Sequence, residues 1–299
     1  MIGFSMTTVE RPHSIVVFLS LVLFVGGCGN RETPKQDHPQ LTAKVTMTDA
    51  TFRSASLGRE MPYRIVMPSS ITPGQKLPVV YLLHGGGGGY RDWTNYSDVA
   101  KYAESGLILV MPEGGSSYYT NSAEHPEDRY EDYLVNDVVS EVESRYPVTV
   151  GRQNRAIVGV SMGGYGAVKN ALKHPELFVF TGGLSAAVDV PTRPFSIKRL
   201  SQWRFHSSIF GPSGSQTRHD NDPYALARSV DPSRMPFLFL TCGEQEGLLP
   251  ANRKLAEIFA ERGFAYEFHT APGDHNWLQW DEQLPGIFES LLAHIKPAK

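Results

Sequence analysis

Ala156-Ile157-Val158-Gly159-Val160-Ser161-Met162-Gly163-Gly164-Tyr165 decides how this chain is read. Ala156 to Val160 is a short apolar run with β-branched side chains, the composition of a strand buried on both faces. From Gly163 to Lys173 the pattern is helical. Ser161 stands at the join, inside Gly159-x-Ser161-x-Gly163. A strand that turns so sharply into a helix strains the serine backbone and exposes its Oγ. Glycine is needed on either side, because a side chain there would clash in so tight a turn. The helix N-terminus beneath the serine favours developing negative charge. The bare pattern is common; the strand before it and the helix after it give it meaning.

Working outward, the same alternation continues. Val45 to Ala55 and Tyr63 to Met67 read as opening strands, with Gly58 and Arg59 in the turn between them. Apolar runs then recur at Leu77 to Leu83, Leu107 to Met111, Phe178 to Phe180, Phe237 to Thr241 and Tyr266 to Thr270. Helical patterns fall between them at Asp92 to Ala103, Tyr133 to Arg145, Gly163 to Lys173, Asn252 to Arg262 and Gln283 to Ile295. This order predicts a mostly parallel sheet with helices on both faces, the α/β-hydrolase arrangement. Val188 to Val230 breaks the rhythm and reads as an insertion near the mouth of the site, built of short helices.

A serine hydroxyl is a weak nucleophile until a base takes its proton. In this fold the order along the chain is serine, acid, histidine. His275, in Pro272-Gly273-Asp274-His275-Asn276-Trp277, lies in the loop between the last strand and the last helical segment, where an imidazole can reach back over the sheet. His269 lies inside a strand, His294 in the terminal helix, His174 at a helix end, and His206 and His219 in the insertion. The acid should leave the strand Phe237 to Thr241, whose following loop, Cys242-Gly243-Glu244-Gln245-Glu246-Gly247, holds two glutamates and no aspartate. Either could hold the imidazole Nδ1–H. An oxyanion needs two backbone N–H groups. Met162, next after the serine, supplies one; the glycine run Gly85 to Gly89 should supply the other. No Lys-Ser/Thr follows that run, so it is no phosphate loop, and no dinucleotide fingerprint or metal-ligand spacing occurs. No cofactor is expected.

Several segments carry a family likeness: Leu82-Leu83-His84-Gly85-Gly86-Gly87-Gly88, Met111-Pro112-Glu113-Gly114-Gly115, Tyr130-Glu131-Asp132-Tyr133-Leu134, the serine turn, Asn221-Asp222-Pro223, Cys242-Gly243 and Pro272-Gly273-Asp274-His275. Through them the chain from about Ala43 onward resembles the "Putative esterase" family of α/β-hydrolases. That family includes tributyrin esterases, S-formylglutathione hydrolases (esterase D), feruloyl and acetylxylan esterases, and the antigen 85 mycolyltransferases. The resemblance implies a serine esterase with Ser161, Glu246 and His275 as its triad and the Gly86 and Met162 amides as its oxyanion hole. Where the family usually has aspartate, this sequence has Glu246, one methylene longer. His84 reads as structural. For the Tyr118 to Asn121 segment the resemblance suggests a pocket lining; Trp93, Tyr118, Tyr119, Trp203 and Trp277 could line an acyl or sugar pocket or pack into the core.

The formal net charge is -3, and no Lys/Arg run tracks phosphates, which argues against nucleic acid as a partner. At the N-terminus, Arg11 and His13 precede the apolar run Ile15 to Val25, then Gly26, Gly27 and Cys28. A positive start, a short apolar stretch and small residues make a secretory signal peptide. Val25-Gly26-Gly27-Cys28 resembles the bacterial lipoprotein box, which implies a diacylated Cys28 and a protein anchored to the cell envelope at a membrane surface. The expected organisation is a signal peptide over 1–27, a polar tether over 28–42, and a catalytic domain over 43–299. With Cys28 lipidated, Cys242 stays a free thiol. The expected reaction is hydrolysis of short-chain acyl or carbohydrate esters. The alternatives are an acyltransferase on the same scaffold, or a binding protein that keeps the fold without the chemistry.

Overall fold

The computed structural model describes residues 36–295. Their strands are β1 (Val45–Arg53), β2 (Glu60–Pro68), β3 (Val79–Leu83), β4 (Ile108–Pro112), β5 (Arg155–Val160), β6 (Phe180–Leu184), β7 (Phe237–Gly243) and β8 (Tyr266–Ala271). They form one sheet in the order β1-β2-β4-β3-β5-β6-β7-β8. The first two pairings, β1 with β2 and β2 with β4, are antiparallel; every pairing from β4 to β8 is parallel. This is the expected α/β-hydrolase architecture.

The helices are α1 (Asp92–Tyr96), α2 (Tyr130–Asp132), α3 (Val139–Arg145), α4 (Met162–Lys173), α5 (Leu200–Phe210), α6 (Gln216–Asp220), α7 (Pro223–Ser229), α8 (Leu249–Arg262) and α9 (Trp277–His294). β3 explains why two helical layers are needed. All five of its side chains are buried, and successive ones point to opposite faces. Val80 and Leu82 join a core with Trp93, Phe180, Trp280 and Phe288, while Val79, Tyr81 and Leu83 join one with Tyr133, Val142 and Phe178. α5 to α7 and their connecting turns make up the expected insertion.

Several expected elements differ, and the helix expected over Tyr133 to Arg145 opens with a π-helical segment, Tyr133–Val138, before α3. The helix expected over Asp92 to Ala103 breaks into α1 and a 3-10 segment, Val99–Ser105, because the Ser97 hydroxyl donates to the Trp93 carbonyl at 2.6 Å. α9 starts six residues before the expected Gln283. Asn276 caps it, accepting from the Gln279 amide at 3.1 Å, and Pro285 is accommodated inside it. The weak strand at Phe178 to Phe180 is really Phe180–Leu184. Gly182 and Gly183 disguise it, since glycine has little strand propensity. Both are required by packing: a Cβ on Gly182 would collide with Ile287 Cδ1 of α9, and one on Gly183 would stand 3.1 Å from Val168 and Leu240.

Residues 37–42, expected within the tether, pack on the domain, and the compact unit begins at Asp37. Buried Arg64 is the reason. Its guanidinium meets the Asp37 carboxylate at 2.7 and 3.0 Å and the Asp49 carboxylate at 2.6 and 3.0 Å. A buried guanidinium needs such acceptors, and Asp37 is thereby held below the ordinary aspartate range. The expected signal peptide, Cys28 and the start of the expected tether lie outside the described residues.

Gly182→Val forces a branched side chain between β6 and α9. We expect a loss of about 1–3 kcal/mol, read as a melting temperature lower by about 2–4 °C per kcal/mol. Thermal denaturation followed by circular dichroism checks this; unchanged melting would mean the strand–helix contact yields freely.

Candidate active site

Three chain segments converge on Ser161. β5 ends at Val160, α4 begins at Met162, and Ser161 between them has φ +55°, in the left-handed region that non-glycine residues avoid. Two hydrogen bonds to the neighbouring strand's exit hold it there. Its N–H donates to the Leu184 carbonyl at 2.8 Å, and its carbonyl accepts from the Ala187 N–H at 3.1 Å. The flanking glycines are steric necessities. A Cβ on Gly159 would overlap the Gly163 backbone, and one on Gly163 would overlap the carbonyl oxygens of Leu83 and His84.

The structure brings Ser161, His275 and Glu246 together. His275 Nε2 lies 2.9 Å from Ser161 Oγ, and Nδ1 lies 2.7 Å from Glu246 Oε2. A carboxylate on Nδ1 fixes the proton there and leaves the Nε2 lone pair facing the hydroxyl. Glu246 is buried, and its other oxygen accepts from Ser185 Oγ at 2.5 Å and from the Gly243 amide at 2.9 Å. Burial pushes its pKa up, but the bonds from His275, Ser185 and Gly243 outweigh it, so the group sits below the ordinary glutamate range. Glu244, the other candidate, is exposed, and Thr270 Oγ1 lies 3.4 Å from its carboxylate. Position, not charge, separates the two.

The loops carrying these groups are clamped to each other. The Gln245 amide donates to the Gly273 carbonyl at 3.1 Å, and the Gln245 side chain accepts from the Gly273 amide at 2.5 Å. Gly243 lets them meet, because a Cβ there would stand 2.5 Å from the Gly273 carbonyl. Gly273, at φ +146°, completes the turn that aims His275.

Gly86 and Met162 also meet: a Cβ built on Gly86 would stand 3.9 Å from the Met162 Cβ, and one on Gly85 would stand 3.6 Å from the Ser161 Cβ. Among the described residues neither the Gly86 nor the Met162 amide has an acceptor. For Met162, the first residue of α4, that is the ordinary state of a helix start. His84 is buried beneath the glycine run. Its Nδ1 lies 2.8 Å from the Gly85 carbonyl and its Nε2 accepts from the Gly114 amide at 2.9 Å, so it ties the run to the loop after β4.

Of the aromatics, Trp93 and Tyr119 are fully buried core, and Trp277 packs edge-on against Trp93 and Trp280. Tyr118, at φ +54°, packs against Tyr165 and His206, and Trp203 lines a cavity in the insertion. Sequence reading missed Ser185 and Trp280. Trp280 Nε1 donates to Ser185 Oγ at 2.9 Å, and its ring meets the His275 imidazole edge-on at 5.0 Å. Placing β6 over Phe180–Leu184 would have put Ser185 at the carboxyl end of the strand beside the serine turn, where parallel sheets build their sites.

The "Putative esterase" family profile matches residues 54–291, and the chain belongs to that family. It is an esterase, a carboxylic-ester hydrolase. An acetyl esterase of Caldicellulosiruptor saccharolyticus is 27% identical over 222 residues, covering 72% of this chain and 83% of the relative. The diacylglycerol acyltransferase/mycolyltransferase Ag85B of Mycobacterium leprae is 34% identical over 258 residues, covering 74% of this chain and 78% of the relative. The fluorophosphonate-binding serine hydrolase F of Staphylococcus aureus shares the fold with a TM-score of 0.71, at 24% identity over 84% of this chain and 99% of its own.

Cys242, at the end of β7, is a buried free thiol. Burial, reinforced by the Glu246 charge, pushes it up to about 12. It should therefore resist alkylation by iodoacetamide in the folded protein at about pH 8 and react once the chain is denatured. Peptide mapping by mass spectrometry reads both states.

Proposed function

We propose that Ser161 is the nucleophile of a two-step ester hydrolysis, with His275 as its base and Glu246 as the acid that orients the imidazole. The observation that carries this reading is the unbroken hydrogen-bonded chain Ser161–His275–Glu246 at 2.9 and 2.7 Å. Ser161 Oγ attacks the ester carbonyl carbon as Nε2 takes its proton. The carbonyl oxygen becomes an oxyanion facing the free N–H groups of Gly86 and Met162. The intermediate collapses, the bond to the alcohol breaks, and the imidazolium returns its proton to the leaving oxygen. Water then gives a proton to Nε2 and attacks the acyl carbon. The Ser161 Oγ leaves with that proton, releasing the carboxylic acid. Short-chain acyl and carbohydrate esters are the proposed substrates, and none of these steps draws on a cofactor.

Ser161→Ala should lower 4-nitrophenyl acetate turnover by at least about 10⁴-fold and abolish labelling by a fluorophosphonate probe. Near-normal turnover in that variant would end the reading. Glu246→Gln should cost on the order of 10³–10⁴-fold in kcat, because the amide cannot stabilise the imidazolium. Glu244→Gln should stay within about twofold, since Glu244 does not reach the imidazole. The reverse ranking would reassign the acid. The likeness to an acyltransferase favours one second reading, in which an alcohol replaces water as acceptor. Product analysis with added glycerol or trehalose separates the two.

We further propose that residues 1–27 are removed, that Cys28 carries lipid, and that the polar segment after it tethers the catalytic domain to the envelope. The support is Val25-Gly26-Gly27-Cys28 at the end of an apolar run. A single chain anchors weakly and several hold firmly. In a bacterial host, Cys28→Ser should therefore move the protein from the membrane to the soluble fraction and remove its label from alkyne-palmitate. Unaltered fractionation would overturn the anchor.

A further inference from the structure

From Val190 to His219 the chain holds Arg193, Lys198, Arg199, Arg204 and Arg218 and no aspartate or glutamate, although the whole chain carries a net -3. The structure folds this run around a cavity of about 400 Å³ lined by Arg193, Lys198, Arg199, Arg218, Trp203 and His206. The one acid in its wall, Asp189, is already neutralised: both its oxygens are held by Arg193, at 2.8 and 2.9 Å. Arg218 is buried, yet all its acceptors are neutral: the Gly211 and Pro191 carbonyls and Ser207 Oγ. Among the described residues Lys198, Arg199 and Arg218 form no ion pair, and the buried Trp203 Nε1–H has no acceptor. Burying a cation without a counterion is costly, so an anion entering the cavity would relieve a charge the fold leaves uncompensated. His206 responds to the same field: burial and the nearby charges of Arg193 and Arg218 push it down to about 4.

The cavity is linked to the serine turn by the chain itself and by a relay of ring contacts. Val190, in its wall, follows Ala187 by three residues, so it lies within about 11 Å of the residue whose amide holds the Ser161 carbonyl. His206 Nε2 lies 3.3 Å from Tyr118 Oη, and the Tyr118 ring packs 5.7 Å from that of Tyr165, one helical turn beyond Ser161. We propose that this cavity is an anion subsite, and that the esterase prefers esters whose non-scissile portion carries a carboxylate or phosphate, such as an acylated acidic sugar. The inference rests on the esterase reading above and adds its substrate class.

Two paired series test it. On the acyl side, 4-nitrophenyl monoesters of linear dicarboxylic acids from glutarate to sebacate are compared with their neutral methyl esters. On the alcohol side, acetylated galacturonate is compared with acetylated galactose, and a phosphorylated acetyl sugar distinguishes phosphate from carboxylate. At least one series should favour the anion by about tenfold in kcat/KM at low ionic strength, and about 0.5 M salt should erode that ratio. Lys198→Ala/Arg199→Ala should cut the ratio at least about threefold, whereas Arg253→Ala, an exposed position on α8, should leave the ratio as it is. Ratios near one in every series, with the neutral esters still turned over, would overturn the inference and leave the esterase reading standing. Citrate titrated calorimetrically into the full-chain Ser161→Ala protein decides the matter without turnover. Binding weakened by the double substitution supports the subsite, and binding absent or indifferent to it overturns it.

Discussion

The close approach of β5 to the first turn of α4 is the constraint on which the site depends. Gly159 and Gly163 leave no room for a Cβ on either partner, and Gly163 also presses against the carbonyl oxygens at the end of β3. That contact fixes where α4 starts and which way the Ser161 Oγ points. A non-glycine residue at φ +55° costs of order 1–3 kcal/mol. The backbone bonds of Ser161 to Leu184 and Ala187 offset the strain only because β6 continues to Leu184 beside β5. The support for the strained Ser161 backbone is therefore spread over the two neighbouring strands.

Electrostatics follows from that geometry. Glu246 is buried at the end of β7, where an unpaired carboxylate would protonate. Three donors keep it ionised, and one of them belongs to His275. Its negative charge also raises the thiol of Cys242, its neighbour, which keeps that sulfur a neutral packing atom rather than a competing nucleophile. The same carboxylate thus holds a proton on the imidazole and a proton on the thiol.

What could be read from the sequence was whatever is local. The serine turn, the late histidine loop and the strand–helix alternation are short patterns with their own stereochemistry, and the structure keeps their order while moving the bounds of several elements. What could not be read depends on residues far apart in the chain. Gly182 and Gly183 look like loop residues until Ile287 and Val168 are packed on them. Asp37 looks like tether until Arg64, buried 27 positions later, claims its carboxylate. Glu244 and Glu246 are alike in a linear view, and family likeness rather than local chemistry separated them. In space the difference is plain, since only Glu246 turns inward, its amide closing a tight turn on the Gly243 carbonyl at 3.2 Å.

The longer side chain at 246 has a structural counterpart. Exchanging aspartate for glutamate moves a carboxylate about 1.5 Å further from its backbone, and a longer arm has more rotamers to lose. Here the extra freedom is removed from the far oxygen: Gly243 N–H and Ser185 Oγ–H both bind Oε1, leaving Oε2 aimed at His275. Ser185 can be directed this way because Trp280 Nε1–H occupies its lone pair, turning the hydroxyl proton toward Glu246. Trp280 in turn belongs to α9, whose early start at Trp277 brings the indole under the imidazole. The Glu246 carboxylate is therefore held from both sides by one stretch of chain, since His275 directly precedes the Asn276 cap of α9 and Trp280 lies in that helix's first turn.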